Sequence, residues 1–130
     1  MKINKKVRYG LRVMIEIGTS TRPLLQKEIA EKQQISNKFL DQIIDALKNK
    51  NLIKNYKGKG SGYVLTLPPE DITIYDIYTA FDTLNYFVEC LASKSTCFFS
   101  SECKSKKIWS ELSETIISFL KNKKLNDLLT

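Results

Sequence analysis

The feature that most restricts the fold is a glycine-rich segment, KGKGSG at 57–62, which separates two short β patterns. These patterns are LIKNY at 52–56 and YVLTL at 63–67. Three glycines in six residues permit positive φ angles, so the segment predicts a β-hairpin with a mobile basic tip. Pro68 and Pro69 should end the second strand, because proline has no backbone N–H to donate to a ladder.

Three helical patterns precede the hairpin. Apolar residues at helical spacing predict helices at 5–18, 25–33 and 37–50. The turn QIS joins the last two, and the Ser36 hydroxyl can accept a free amide from the first turn of the third helix. The third helix is expected to bury Phe39, Leu40, Ile43, Ile44 and Leu47. Two helices joined by a tight turn and followed by a glycine-rich hairpin are typical of a winged helix-turn-helix.

Two further helical patterns follow the hairpin. Thr73 is a suitable cap for a helix at 74–81, and apolar spacing predicts a longer amphipathic helix at 106–120. Trp109 and Ile117 lie partly outside the main apolar stripe of the longer helix, which therefore has more apolar surface than one contact face requires. We expect this helix to bind a second copy of the chain; the alternative is simple packing against the first helix.

Positive charge is concentrated in the first half of the chain. Residues 1–66 contain fourteen Lys/Arg and five Asp/Glu, a net charge of +9, whereas residues 67–130 have a net charge of −2. Clustered positive charge on a folded face attracts polyanions, so the first half is the candidate for nucleic-acid binding. The alternative is a solvated basic surface that maintains solubility.

These patterns predict a fold that is mainly α with a small β-hairpin, a winged helix-turn-helix with a long C-terminal dimerisation helix. We expect residues 1–68 to form the DNA-binding region. Residues 69–130, which contain the long helix and all three cysteines, are expected to form a dimerisation region.

The polar face of the third helix is the candidate reading surface for double-stranded DNA. Asn37 and Gln42 have amides that can bond base edges, and Lys38 can reach phosphate or guanine. Asp41 repels phosphates, so it either accepts from a cytosine amino group or penalises wrong sequences. The alternative for Asp41 is an ion pair along the helix with Lys38 or Lys48. Ser36, at the start of the helix, completes this group of candidates.

The hairpin tip and the first helix supply candidate backbone contacts. Lys57 and Lys59 would face a phosphate backbone or the minor groove, and Arg8 can add another phosphate contact. The remaining candidates at the tip are Gly58, Gly60 and Ser61. Contacts of this kind position a protein on DNA and make binding salt-dependent, but they do not themselves specify sequence.

All three cysteines lie in one polar stretch, and the chain has no histidine. Cys90, Cys97 and Cys103 are spaced C-x6-C-x5-C, which matches neither the paired knuckles of a zinc ribbon nor the usual ferredoxin runs. Three soft thiolates can nevertheless bind an iron–sulfur cluster. Zinc with an added oxygen ligand, or unmetallated thiols that are inert or redox-active, remain alternatives.

Other classes of protein are disfavoured. No run of about 18 apolar residues is present, and Arg12 and Glu16 interrupt the N-terminal segment before a signal-peptide core forms, so we expect a cytoplasmic protein without membrane contact. No histidine is available as a base, and no phosphate-cradling or nucleophile-elbow motif is present, so we expect no enzyme activity. A small redox or cluster-carrier protein is a third possibility, which the ordered wing disfavours.

The chain as a whole resembles the Rrf-two family of bacterial transcription regulators. The resemblance rests on RYGLR, KEIAEKQQIS, FLDQII, LKNKNLIK, KGKGSGYVL, PPEDITIYDI, IWSELSE and LNDLL, together with the C-x6-C-x5-C loop. It implies a homodimer that binds pseudo-palindromic promoter DNA through the winged helix-turn-helix, with a long helix near the C-terminus that makes the dimer. We expect the regulator to be a repressor.

The resemblance to the IscR-like branch implies that Cys90, Cys97 and Cys103 bind an iron–sulfur cluster, [2Fe-2S] or [4Fe-4S]. That branch has a histidine where this chain has Lys106, and the nitric-oxide-sensing branch has an aspartate where it has Arg8. The fourth ligand is then an oxygen of Glu89 or Glu102, a residue of the other subunit, or a small molecule. The alternative is a winged-helix regulator without a cluster that responds to thiol redox or cysteine supply.

Overall fold

The computed structural model describes residues 2–82 and 104–129. In chain order its helices and strands are α1 (Lys5–Thr19), α2 (Gln26–Gln33), α3 (Asn37–Asn49), β1 (Ile53–Asn55), β2 (Tyr63–Leu65), a 3₁₀ turn (Pro69–Asp71), α4 (Ile74–Thr79), α5 (Lys104–Asn122) and a second 3₁₀ turn (Leu125–Leu128). The predicted winged helix-turn-helix with a C-terminal helix is confirmed. Within the described residues no helix is both long and apolar enough to cross a membrane.

α1, α3 and α4 each begin beside a side chain that accepts a backbone amide. Asn4 Oδ1 accepts from Val7 N at 2.8 Å, and Ser36 Oγ accepts from Phe39 N at 3.1 Å. Thr73 and Asp76 each accept the other's backbone N–H at 3.0 Å. Because these bonds satisfy amides that a helix leaves free at its start, they fix where each helix begins. The predicted caps Ser36 and Thr73 are thus confirmed.

The two strands are shorter than the predicted five residues each. β1 and β2 pair antiparallel over three residues, with Ile53 opposite Leu65 and Asn55 opposite Tyr63. Two further hydrogen bonds extend the pairing, from Tyr56 N to Gly62 O and from Thr66 N to Leu52 O. The hairpin is therefore small, and its rigidity depends on what it packs against.

The core forms around one face of α3. Leu40, Ile43, Ile44 and Leu47 of α3 are all buried. Phe39 was predicted to join them but is only half-buried, because it sits at the edge of the core and packs edge-to-face on Tyr9 of α1, with ring centroids 5.6 Å apart. The apolar stripe of α3 therefore faces inward, and its polar side chains face solvent.

Residues after the hairpin belong to the same core. Ile72, Ile77 and Leu125 are buried in one cluster with α1 and α3. Leu125 N bonds to Ile72 O at 2.8 Å, which ties the chain after α5 to the chain before α4. At Gly10 of α1, a Cβ atom would lie 2.2 Å from the Phe81 ring, so only glycine allows this close packing.

α5 has an apolar face that the rest of the described chain leaves exposed. Ile116, Ile117 and Leu120 pack against Val7 of α1 and Tyr78 of α4. The prediction that Ile117 contributes to surplus apolar surface is therefore wrong, because its side chain is used within the chain. The exposed apolar residues of α5 are Ile108, Trp109, Leu112 and Phe119, three of which come from the predicted main stripe.

Candidate nucleic-acid interface

The outer face of α3 presents the predicted reading residues. Asn37, Lys38, Asp41 and Gln42 are all exposed, on a helix whose opposite face is anchored in the core. Ser36 is exposed as well, but its hydroxyl already accepts the cap hydrogen bond from Phe39 N. The four polar side chains therefore lie together on one exposed face, whereas Ser36 caps the start of the helix.

Asp41 has a partner that the sequence did not reveal. Gln26, the first residue of α2, donates its side-chain amide to the Asp41 carboxylate. Within residues 2–82 and 104–129, no ion pair joins Asp41 to Lys38 or Lys48. Lys48 Nζ lies instead 5.9 Å from the centroid of the Tyr63 ring. The proposed ion pair along the helix is thus replaced by a hydrogen bond between the two helices.

A cluster of cations and aromatic rings lies where α1 meets the start of α3. Lys5 Nζ lies 5.1 Å from the centroid of the Phe39 ring, and the Arg12 guanidinium lies 4.9 Å from the centroid of the Tyr9 ring. Arg8 is exposed on the same helix. Sequence reasoning named only Arg8. Helical spacing could have found the others, because positions i−3 and i+4 share its face.

The wing tip, which the sequence predicts to be mobile, is a turn closed by hydrogen bonds. Ser61 Oγ donates to Gly58 O at 2.6 Å and accepts from Lys57 N at 2.7 Å, so one hydroxyl closes the turn. Gly58 and Gly60 have φ angles of +101° and +84°, which residues with a Cβ rarely adopt. Lys57 and Lys59 are both exposed. The tip therefore presents two cations from a closed loop, and the hydrogen bonds of Ser61 close that loop.

The base of the wing is fastened to the start of the helix-turn-helix. Leu24 and Tyr63 exchange two backbone hydrogen bonds, from Leu24 N at 3.2 Å and from Tyr63 N at 2.8 Å. Gly62 is buried beside them with a φ of +98°, and a Cβ there would lie 2.8 Å from Pro23 Cβ. The wing and α2 are therefore held in a fixed relation.

Two titratable groups near this surface, Glu28 and Tyr63, have shifted pKa values. The Arg22 guanidinium donates to Glu28, and with the Leu25 backbone N–H it lowers the pKa of the Glu28 carboxyl to about 2. Burial raises the pKa of the Tyr63 phenol, and the Asp41 and Asp45 carboxylates raise it further. Tyr63 therefore stays neutral at physiological pH, and Glu28 stays ionised.

The cysteine predictions fall outside the described residues. Cys90, Cys97 and Cys103 all lie in the range 83–103, as do Glu89 and Glu102. Among residues 2–82 and 104–129, no group of three His, Cys, Asp or Glu side chains could bind a metal ion.

Comparisons with known proteins extend over nearly the whole chain. The family model Rrf2, described as an iron-dependent transcriptional regulator, matches residues 3–130. The chain is 30% identical to the HTH-type transcriptional regulator IscR of Aliivibrio salmonicida, over 99% of its own length and 77% of the relative's.

Two solved structures of similar fold belong to regulators with different names. One is the IscR of T. potens, with a TM-score of 0.76 and 27% identity, over 99% of this chain and 86% of that one. The other is CymR (YrzC), the global cysteine regulator of B. subtilis, with a TM-score of 0.80 and 27% identity, over 99% of this chain and 96% of that one. The similarity in fold alone therefore does not separate the two kinds of regulator.

Alanine at Gly62 should destabilise the protein more than alanine at Gly58. Both residues have positive φ, but a Cβ at Gly62 would collide with Pro23, whereas at Gly58 it would meet nothing within 4 Å. We expect Gly58→Ala to cost about 1 kcal/mol from backbone strain. Gly62→Ala should cost about 2 kcal/mol or more, because overpacking adds to the strain. Urea unfolding of both variants measures the difference, and equal costs would contradict the docked wing.

Proposed function

This chain belongs to the Rrf2 family of transcriptional regulators, and we propose that it is a homodimeric repressor whose operator affinity is set by an iron–sulfur cluster on its three cysteines. The family and its relatives are DNA-binding regulators and not enzymes. We assign DNA binding to residues 1–68, and sensing and dimerisation to residues 69–130. The observation that carries the DNA-binding part is the exposed polar face of α3, flanked by the wing and by the basic face of α1.

Each part of this surface suits a different element of the duplex. Asn37 and Gln42 on α3 are placed to read base edges in a major groove, which is wide enough for a helix. Lys57 and Lys59 on the wing would contact phosphates or the minor groove. Arg8, with Lys5 beside it on α1, would contact the phosphate backbone. Base contacts of the first kind specify sequence, and cation contacts of the second kind position the protein.

The exposed apolar face of α5 supports self-association. Ile108 is 58% exposed and Phe119 is 59% exposed, on a helix whose other face is packed against α1 and α4. Apolar side chains exposed in a row along one helix mark an interaction surface. A second copy of α5 would cover them in a symmetric pair. Two recognition helices related by this symmetry match a pseudo-palindromic operator with half-sites about 34 Å apart.

The donor set fits a cluster in part. Cys90, Cys97 and Cys103 provide three soft thiolates within fourteen residues, which suits iron–sulfur chemistry. Lys106, where the IscR-like branch has histidine, carries an ammonium without a lone pair and is no substitute ligand. A fourth ligand must therefore come from Glu89, Glu102, the other subunit or a small molecule. When bound, such a cluster supplies a group that is lost or altered by iron shortage, oxygen or nitric oxide.

Contacts among the described residues offer a route from the cysteine segment to the reading surface. Cys103 is followed in sequence by Lys104, the first described residue of α5, so a change in the cysteine segment would act on that helix. Ile116 and Ile117 of α5 pack against the cluster formed by Val7 of α1 and Tyr78 of α4. Two residues further along α1, Tyr9 packs against Phe39 in the first turn of α3. A shift of α5 would therefore reach the recognition helix through α1.

A second candidate function keeps the DNA-binding surface and omits the cluster. It is a regulator that responds to thiol redox or cysteine supply. Two observations favour it. The chain has neither the histidine ligand of the IscR-like branch nor the aspartate ligand of the nitric-oxide-sensing branch. Its fold is also similar to that of a global cysteine regulator, with a TM-score of 0.80. Reversible oxidation of Cys90, Cys97 or Cys103 to a sulfenate or disulfide would then replace cluster loss as the signal.

Removing either wing lysine should weaken the salt dependence of DNA binding. Each phosphate contact contributes a slope of about −0.9 in log K against log salt concentration. Lys57→Ala and Lys59→Ala should therefore each reduce the slope by about 2 per dimer, because both subunits lose one contact. The measurement is a salt titration of operator affinity by fluorescence anisotropy.

The matched control for this titration is Lys121→Ala. It removes the same charge from α5, where Lys121 Nζ lies 4.8 Å from the centroid of the Tyr75 ring. Its slope should equal that of the wild type. If Lys57→Ala and Lys59→Ala also kept the wild-type slope, the proposal that the wing contacts DNA would be contradicted.

Anaerobically purified protein should contain iron and acid-labile sulfide in matching amounts and should absorb visible light. The triple variant Cys90→Ala, Cys97→Ala, Cys103→Ala should lose all three signals, because it lacks the thiolate ligands. Ser101→Ala, a control in the same segment, should retain them. A colourless wild type that resists anaerobic reconstitution would exclude the cluster and leave thiol chemistry or zinc.

A further inference from the structure

One hydrogen bond joins the two helices of the helix-turn-helix at their solvent-facing side. Gln26, the first residue of α2, donates its side-chain amide to the carboxylate of Asp41, on the second turn of α3. Asp41 is exposed and Gln26 is half-buried. Among the described residues, the two ion pairs occur elsewhere, at Arg22–Glu28 and Lys32–Glu16. The orientation of the Asp41 side chain is therefore set by Gln26 of α2 and, among the described residues, by no cation.

The bond leaves the pair with a defined set of free hydrogen-bonding positions. The Gln26 amide retains one N–H and its carbonyl oxygen, and the Asp41 carboxylate retains its second oxygen. In the major groove, adenine presents an amino donor beside N7, and cytosine presents an amino donor. Guanine presents two acceptors, O6 and N7, which a carboxylate repels. Two of the three free positions are acceptors, and one of these belongs to a carboxylate, so the pair favours a base that presents an amino group.

The bond also restricts where the negative charge of Asp41 can go. An untethered carboxylate on an exposed helix face can rotate toward Lys38, one turn earlier, and away from base edges. A hydrogen bond to an ionised acceptor is among the stronger ones in proteins, and it holds the side chain in one direction. A side chain ordered before binding loses less entropy when it binds.

We propose that Gln26 is a positioning residue for sequence specificity, which holds the Asp41 carboxylate against the base edges so that the pair selects cytosine or adenine at one position of each half-site. This inference rests on the proposed DNA-binding function and names a determinant of its specificity. The charge of Asp41 lowers affinity for all sequences through phosphate repulsion. Only a sequence with an amino group at that position offsets this cost, and discrimination results.

The test is selection of binding sites from a random double-stranded DNA library by the full chain, followed by sequencing. The proteins are the wild type, Gln26→Leu, Asp41→Ala and the double variant. Both single variants should lose preference at the same position of each half-site, by about fivefold or more. The double variant should lose no more than Asp41→Ala alone, because the two side chains act as one unit.

The control is Lys27→Ala, an exposed neighbour of Gln26 in the same turn of α2. It should keep the base preference of the wild type. The Tm of each variant should lie within about 4 °C of the wild type, because surface substitutions change stability little. The salt slope of Gln26→Leu should also be unchanged, which separates a loss of base reading from a general loss of structure.

Several results would overturn the inference. Gln26→Leu could keep the wild-type preference while Asp41→Ala changes it, the two variants could change different positions, or Asp41→Ala could change nothing. A uniform loss of preference at every position would indicate a structural role for Gln26 and would also overturn it. A wild type that selects no sequence at all would contradict the proposed function as well, which distinguishes the two failures.

Discussion

The burial of the apolar face of α3 is the constraint on which the rest of the structure depends. Leu40, Ile43 and Leu47 are fully buried, so α3 can present only its polar face to solvent. Truncating a leucine in such a position typically costs about 2 to 5 kcal/mol, which is comparable to the whole stability of a small domain. The candidate reading surface is thus fixed by packing on the opposite side of the same helix.

That core also connects the two halves of the chain. Ile72, Ile77 and Leu125 are buried with α1 and α3, although they follow the wing in sequence. α5 in turn packs on α1 through Val7, and α1 contacts the first turn of α3 through Tyr9 and Phe39. Packed interiors transmit small displacements, because they are dense and resist compression. A displacement of α5, which the proposed sensing mechanism requires, would therefore have a physical route to the surface proposed to read DNA.

Much of the fold could be predicted because its signals are local. The caps at Ser36 and Thr73, the three wing glycines and the apolar spacing of α3 each follow from residues close in sequence. Features that join distant segments could not be predicted. No sequence pattern placed Gln26 against Asp41, and none showed which face of α5 packs against Val7. The roles of the candidate DNA-binding residues and of the three cysteines remain predictions.

The most direct test of the central claim is the operator affinity of one anaerobic, fully reduced preparation, measured before and after a chelator removes its iron. If the cluster sets DNA binding, affinity should change by about tenfold or more, in line with typical coupling between two binding sites. The same affinity before and after chelation would contradict a cluster-regulated repressor. If a reversible oxidant then altered that affinity, the cysteines would be identified as thiol sensors.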